Sequence, residues 1–146
     1  KSIFIKVNLN SSARLISVAE RLLTSNLLSG LQSKNINITI EQWRILFYLW
    51  DEDGINQREL AKRSNKEKST ITRQIEALEK KGLVTRHSLN ADKRNKQIFV
   101  TEEGKAIKNK ALKTASTITE QAETNISEDD LKVFKNVLYQ IIKNIE

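Results

Sequence analysis

Basic side chains crowd one stretch of this chain. Residues 57–96 hold twelve Lys and Arg (Arg58, Lys62, Arg63, Lys66, Lys68, Arg73, Lys80, Lys81, Arg86, Lys93, Arg94 and Lys96) against five acids, Glu59, Glu67, Glu76, Glu79 and Asp92. The rest of the sequence carries thirteen of each sign, so the formal charge of +7 sits entirely in that stretch. A local positive field on an otherwise neutral chain is suited to binding a polyanion, because cations that neutralise phosphates release the counterions condensed there.

Other chemistries are poorly supplied. With no Cys there is no disulfide, thiolate metal site or thiol redox sensor, and His87 is the single His, too few ligands for zinc. A Ser88, His87 and Asp92 triad fails on geometry, since adjacent strand residues point to opposite faces and no oxyanion-hole loop accompanies them. The sequence thus gives no catalytic residues, no metal and no cofactor.

The basic residues must be carried by some framework, and the 146 residues, with no Pro and only 4 Gly, suit one mostly helical domain. From Ala13 to Leu31 apolar residues recur near the 3.6-residue period and predict a long amphipathic helix. Thr39 and Gln42 form a capping box for a second helix, whose stripe of Trp43, Leu46, Phe47 and Trp50 ends before Asp53-Gly54. Asn56 with Glu59 opens a short third helix carrying Leu60 and Ala61. After the turn Ser64-Asn65-Lys66, a fourth helix over 65–81 ends at Gly82, a residue fitted to a helix C′ position.

The period then changes. Leu83 to Ser88 and Gln97 to Thr101 read as two strands, with Ile98 and Val100 on one face and Phe99 on the other, joined by a basic loop over 89–96. Thr101 with Glu102 and Glu103 opens a fifth helix reaching Ala122. Ser127 and Asp130 cap a sixth, in which Leu131, Phe134, Leu138, Ile141 and Ile145 follow the 3-4-3-4 spacing of a helix-packing seam. The fold class is therefore mainly α with a small two-stranded β-wing: short helix, turn, second helix, hairpin, flanked by long helices, which is the winged helix-turn-helix order.

On a 100° wheel, Ile71, Ile75 and Leu78 share the core arc of the fourth helix, while Ser69, Arg73 and Lys80 occupy the opposite arc beside Thr70 and Glu76. Arg can pair with guanine O6 and N7 in a major groove, and hydroxyls and amides can bond bases or phosphates. The DNA-contacting set read from this helix is Lys68, Ser69, Thr70, Thr72, Arg73 and Gln74. Lys93, Arg94 and Lys96 place three cations at the hairpin tip, suited to a narrow minor groove, and Asp92 is read as the residue that orients Arg94.

The runs Leu60-Ala61, Ser69-Thr70-Ile71-Thr72-Arg73, Leu78-Glu79-Lys80-Lys81-Gly82-Leu83-Val84, Asp92-Lys93-Arg94 and Val100-Thr101-Glu102-Glu103-Gly104 occur in the order and approximate spacing of the multiple-antibiotic-resistance regulator (MarR) family. The chain resembles that family over nearly its whole length. The Asp-Lys-Arg wing followed by Thr-Glu-Glu-Gly is the most discriminating part, since Leu-Glu-Lys-Lys-Gly-Leu occurs in many winged helices. Ser64 and Lys66 depart from the resemblance, standing at turn positions that are commonly apolar, as does Asn65, where Gly is frequent.

The resemblance implies a single MarR-like domain over 1–146: a DNA-binding lobe at 39–101 and a helical dimerisation lobe from 1–38 and 102–146. It implies a homodimeric transcriptional regulator, expected to repress, that reads a pseudo-palindrome in double-stranded DNA with half-sites about one helical turn apart. The dimer residues expected are Leu15, Leu22, Leu131, Phe134, Leu138, Ile141 and Ile145. Trp43, Phe47 and Trp50 fit a core reading; the resemblance adds the alternative of a pocket for a small aromatic or phenolic ligand. The other function class is a winged-helix module for protein assembly or non-specific DNA coating. Lys1 to Asn10 shows no signal-peptide pattern, and no apolar run approaches the ~20 residues of a membrane span, so a cytoplasmic protein without membrane contact is expected.

Overall fold

The computed structural model describes residues 9–88 and 96–146. The expectations for Asp92, Lys93 and Arg94 lie outside the described residues, and Lys96 alone represents the wing tip. The order is α1 (Ser12–Ser33), α2 (Ile40–Asp51), β1 (Ile55–Asn56), α3 (Gln57–Ser64), α4 (Lys68–Lys80), β2 (Val84–Ser88), β3 (Lys96–Val100), α5 (Glu102–Ala122) and α6 (Glu128–Ile145).

Each helix start follows a local capping rule except that of α4. Thr39 accepts from the Gln42 N–H while the Gln42 side chain accepts from the Thr39 N–H, the reciprocal box read from the sequence. Thr101 and Ser127 accept from the N–H groups of Gly104 and Asp130. Asn56 caps α3 by accepting from Arg58 N, two residues on, rather than through Glu59. α4 begins at Lys68, three residues later than the sequence suggested, because Asn65 takes a left-handed conformation (φ 50°) that closes α3 and spends Lys66 and Glu67 on the turn.

The sheet corrects the two-strand expectation. It has three antiparallel strands in the order β1-β3-β2, with Ile55 opposite Ile98 on one side of β3 and Val84 opposite Val100 on the other. β1 has two residues, too short to show alternation, and its apolar Ile55 is held by the pairing rather than by any pattern. Ile98 and Val100 are buried and Phe99 is partly exposed, as the alternation required.

One core joins these elements: Leu31 of α1, Ile45, Leu46 and Leu49 of α2, Leu60 of α3, Ile75 and Leu78 of α4 and Ile98 of β3 are all essentially inaccessible. Trp43 and Trp50 belong to it, stacked edge-on at 5.7 Å, while Phe47 stays half exposed beside Trp43. Tight backbone approach brings α5 onto the wing. A Cβ on Gly104 would meet the Leu83 carbonyl oxygen and lie 2.5 Å from Val100 Cγ1.

α6 behaves differently. Its 18 residues include none that are buried, although it is strongly amphipathic and carries Val133, Phe134, Val137, Ile142 and Ile145 in the open. Among the described residues no helix is long and apolar enough to cross a membrane.

Candidate nucleic-acid interface

α4 is fixed from beneath and from both sides. Ile71, Ile75 and Leu78 anchor its inner arc. On one flank the buried Gln57 of α3 donates from Nε2 to Thr72 Oγ1, which in turn donates to the Lys68 carbonyl. On the other, Arg86 of β2 reaches Glu79 at 2.7 Å and Glu76 at 3.9 Å. Lys81, just past the helix, donates to Asn37 O and Gln42 Oε1, and so ties α4 to the start of α2.

What remains on the outer arc is open to solvent: Lys68, Ser69, Arg73 and Lys80, with Thr70 and Gln74 partly covered. Of the six residues assigned to DNA contact on this helix, Ser69 and Arg73 stand exposed on the outer arc, and Lys68 and Thr70 border the turn at its amino end. Gln74 lies toward the edge of that arc. Thr72 is turned toward α3, with its hydroxyl committed to Gln57 and Lys68. Between α3 and α4 the turn forms a hollow of about 460 Å³ lined by Ala61, Lys62, Asn65, Lys66, Glu67, Lys68 and Thr70, where three ammonium groups outnumber one carboxylate at the amino end of the helix.

The turn is braced by Arg63. Its guanidinium pairs with Glu59 at 3.1 Å and Glu52 at 2.9 Å, and those carboxylates raise its already high pKa. Tyr48 donates its phenolic proton to the Arg63 carbonyl. Arg63 and Arg86 are thus absorbed by internal acids, and the field offered outward comes from the other cations of the stretch. Sequence reading missed Gln57, Lys81 and Arg86 as positioning residues. Only the last had a signal, the three-residue spacing of Glu76 and Glu79 on one face of a helix that precedes a basic strand.

The remaining assignments fall on other elements. Leu15, Leu22, Phe134 and Ile145 are exposed, and Leu131, Leu138 and Ile141 are half-buried. Leu22, Leu131 and Phe134 line a groove of about 790 Å³ between α1, α5 and α6. Trp43 and Trp50 are core residues, and the indole N–H of Trp50 donates to the Gly104 carbonyl. Among the described residues no three His, Cys, Asp or Glu side chains cluster as metal ligands would.

An exposed basic reading helix, seated on a helix-turn-helix and followed by a β-wing, defines a winged helix-turn-helix DNA-binding protein. A model of the MarR family matches residues 38–96. The chain is 32% identical over 113 residues to the transcriptional regulator SarZ of Staphylococcus haemolyticus, covering 76% of this chain and 74% of that protein. It is 29% identical over 110 residues to the organic hydroperoxide resistance transcriptional regulator of Bacillus subtilis, covering 75% and 74%. Its fold matches that of CouR from Rhodococcus jostii bound to p-coumaroyl-CoA, with a TM-score of 0.79 over 93% of this chain and 94% of that one at 21% identity. The chain belongs to the MarR family of DNA-binding transcriptional regulators; its relatives are regulators and not enzymes.

Proposed function

We propose that this chain acts as a homodimeric repressor that reads a pseudo-palindromic operator, with α4 in the major groove and the wing at 89–96 in the minor groove. The observation that carries the reading is the outer arc of α4, where Ser69 and Arg73 stand clear of the core on a helix pinned by Gln57 and Arg86. Arg73 addresses guanine edges, while Lys66 and Lys68 sit where the phosphate backbone crosses the turn. Lys93, Arg94 and Lys96 are assigned to the minor groove, with Asp92 orienting Arg94.

Dimerisation is supported by α6. An amphipathic helix with no fully buried residue, whose apolar stripe is at best half covered by its own chain, gains little from that stripe until another surface covers it. A second copy supplies that surface through a self-complementary contact, which matches the symmetry of an inverted repeat. On this reading residues 39–101 form the DNA-binding lobe, and 1–38 with 102–146 form the dimerisation lobe.

A small aromatic effector is a secondary reading. It is supported by the p-coumaroyl-CoA complex of the Rhodococcus neighbour and by the half-exposed Phe47 at the edge of the α2 aromatic cluster. Such a ligand would act by binding two spacings of the recognition helices unequally.

The test is selection of duplexes from a random pool, followed by titration of the winner and a scrambled control at two salt concentrations. An enriched inverted repeat, bound roughly 10³-fold or more tightly than the control, is the expected result. Equal and steeply salt-dependent binding to both would instead mean an assembly or DNA-coating module that uses the same basic face.

A further inference from the structure

We propose that Trp50 and Lys108 form a two-way lock between α2 and α5 that fixes the half-site spacing the dimer accepts, an inference that rests on the dimeric operator reading above. The contacts run in opposite directions. The indole N–H of Trp50 donates to the Gly104 carbonyl at 3.1 Å in a buried setting, and Lys108 Nζ, one helical turn on, donates to the Trp50 carbonyl at 3.2 Å. Each end has a reason to persist. A buried indole N–H needs an acceptor, and a carbonyl in the last turn of a helix has no partner within the helix and favours a cation.

The position of this lock gives it leverage. α5 is one continuous helix from Glu102 to Ala122. Its first turn is held against the wing by Gly104, and the Thr101 hydroxyl donates to the Gly82 carbonyl at 2.6 Å. Farther along, Thr114 packs on Gly30 of α1 and accepts from Lys34 Nζ at 2.7 Å. α5 therefore links the reading head at one end to the proposed dimer surface at the other. From Gly104 to Ala122 the helix spans about 27 Å, so a swing of only about 7° at its base displaces the far end by about 3.4 Å, one base-pair step. Spacing discrimination thus depends on how stiffly that base is held, and the Trp50 and Lys108 bonds join α5 to α2 there, beside the packing of Ile107 and Ala111 on the core.

Trp50 accordingly serves as a positioning residue, and Lys108 is a second one that sequence patterns did not mark. Trp50→Phe removes the indole N–H and keeps most of the ring, while the Gly104 carbonyl retains its helical partner. Lys108→Met removes the ammonium from a partly exposed side chain and leaves the core untouched.

The experiment measures binding of the full chain and both variants to the selected inverted repeat and to versions lengthened or shortened by one base pair. The lock predicts that the wild type prefers one spacing and that each variant loses at least fivefold of that preference. Affinity for an isolated half-site should stay within twofold. An unchanged spacing preference in both variants, whatever happens to their melting temperatures, would mean the two bonds only stabilise the fold and would overturn the inference. A wild type with no spacing preference would instead overturn the operator reading, and the lock with it.

Discussion

Arg86 of β2 places its Nε 2.7 Å from a carboxylate oxygen of Glu79 and its Nη1 3.9 Å from Glu76, so one strand residue neutralises two acids on the reading helix. Glu76 lies on the exposed side of α4, where an unpaired carboxylate would repel phosphate. Partly exposed ion pairs of this kind contribute only about 0–1 kcal/mol to folding. Their larger effect here falls on the field offered to DNA. Arg86→Ala should therefore lower the melting temperature slightly and weaken DNA binding by at least tenfold at low salt, with part of the loss restored by adding Glu76→Gln. Equal affinities of wild type and Arg86→Ala in an anisotropy titration would remove Arg86 from the interface.

Lys68 and Arg73 are both exposed on α4 and should fail differently. Lys68 faces the turn hollow, the place for a phosphate, and Lys68→Ala should weaken binding to all sequences alike and reduce the salt slope by about 0.9 per subunit. Arg73→Ala should cost about 1–3 kcal/mol at one base position of each half-site and relax the preference there. A selection repeated with each variant separates the two. Identical sequence logos for Arg73→Ala and wild type would contradict base reading by Arg73.

The place of Thr72 in the sequence groups it with the DNA contacts, yet its hydroxyl accepts from the buried Gln57 and donates to the Lys68 carbonyl. Thr72→Val leaves the Gln57 amide without that acceptor, which costs about 1–3 kcal/mol. The expected result is a loss of stability in thermal unfolding with the same sequence preference on DNA. A variant of unchanged stability that no longer discriminates operators would restore Thr72 to the contact set.

Ser64 closes α3 with its Oγ buried and, among the described residues, without a hydrogen-bond partner. Ser64→Ala removes that unsatisfied hydroxyl and should raise stability by about 1 kcal/mol, some 2–4 °C in melting temperature. A fall in melting temperature would show that the hydroxyl finds a partner in solution.

Much of this was readable before any coordinates. The Thr39-Gln42 box, the Thr101 and Ser127 caps and the inner arc of α4 follow local rules of spacing and hydrogen bonding, and such rules act within a few residues. What escaped was set by contacts distant in sequence. β1 exists because Ile55 meets Ile98 across 43 residues, and the tie of Thr72 to Gln57 depends on how α3 crosses α4. The late start of α4 is partly visible in Asn65, which stands where Gly is frequent and takes the left-handed conformation, although nothing local in the sequence shows that this moves the helix boundary. The aromatic cluster of α2 could not be divided by pattern alone, because Trp43, Phe47 and Trp50 share a helical stripe and only packing separates the two buried indoles from the half-exposed Phe47.

Phe134 offers the sharpest test of the dimer. It is 55% exposed in the single chain and only borders the groove between α1, α5 and α6, so Phe134→Asp should cost the isolated subunit little stability. If α6 pairs with a second copy, the same substitution places a charge in an apolar interface, a cost of several kcal/mol once two carboxylates face one seam. Light scattering at micromolar concentration should then report the 16.8 kDa of one chain for the variant and twice that for the wild type. Affinity for the inverted repeat should drop by at least tenfold, because two half-sites would no longer be bound as one unit. A wild-type chain that is already monomeric would leave the bare apolar face of α6 to another partner and would break the link between α6 and operator symmetry.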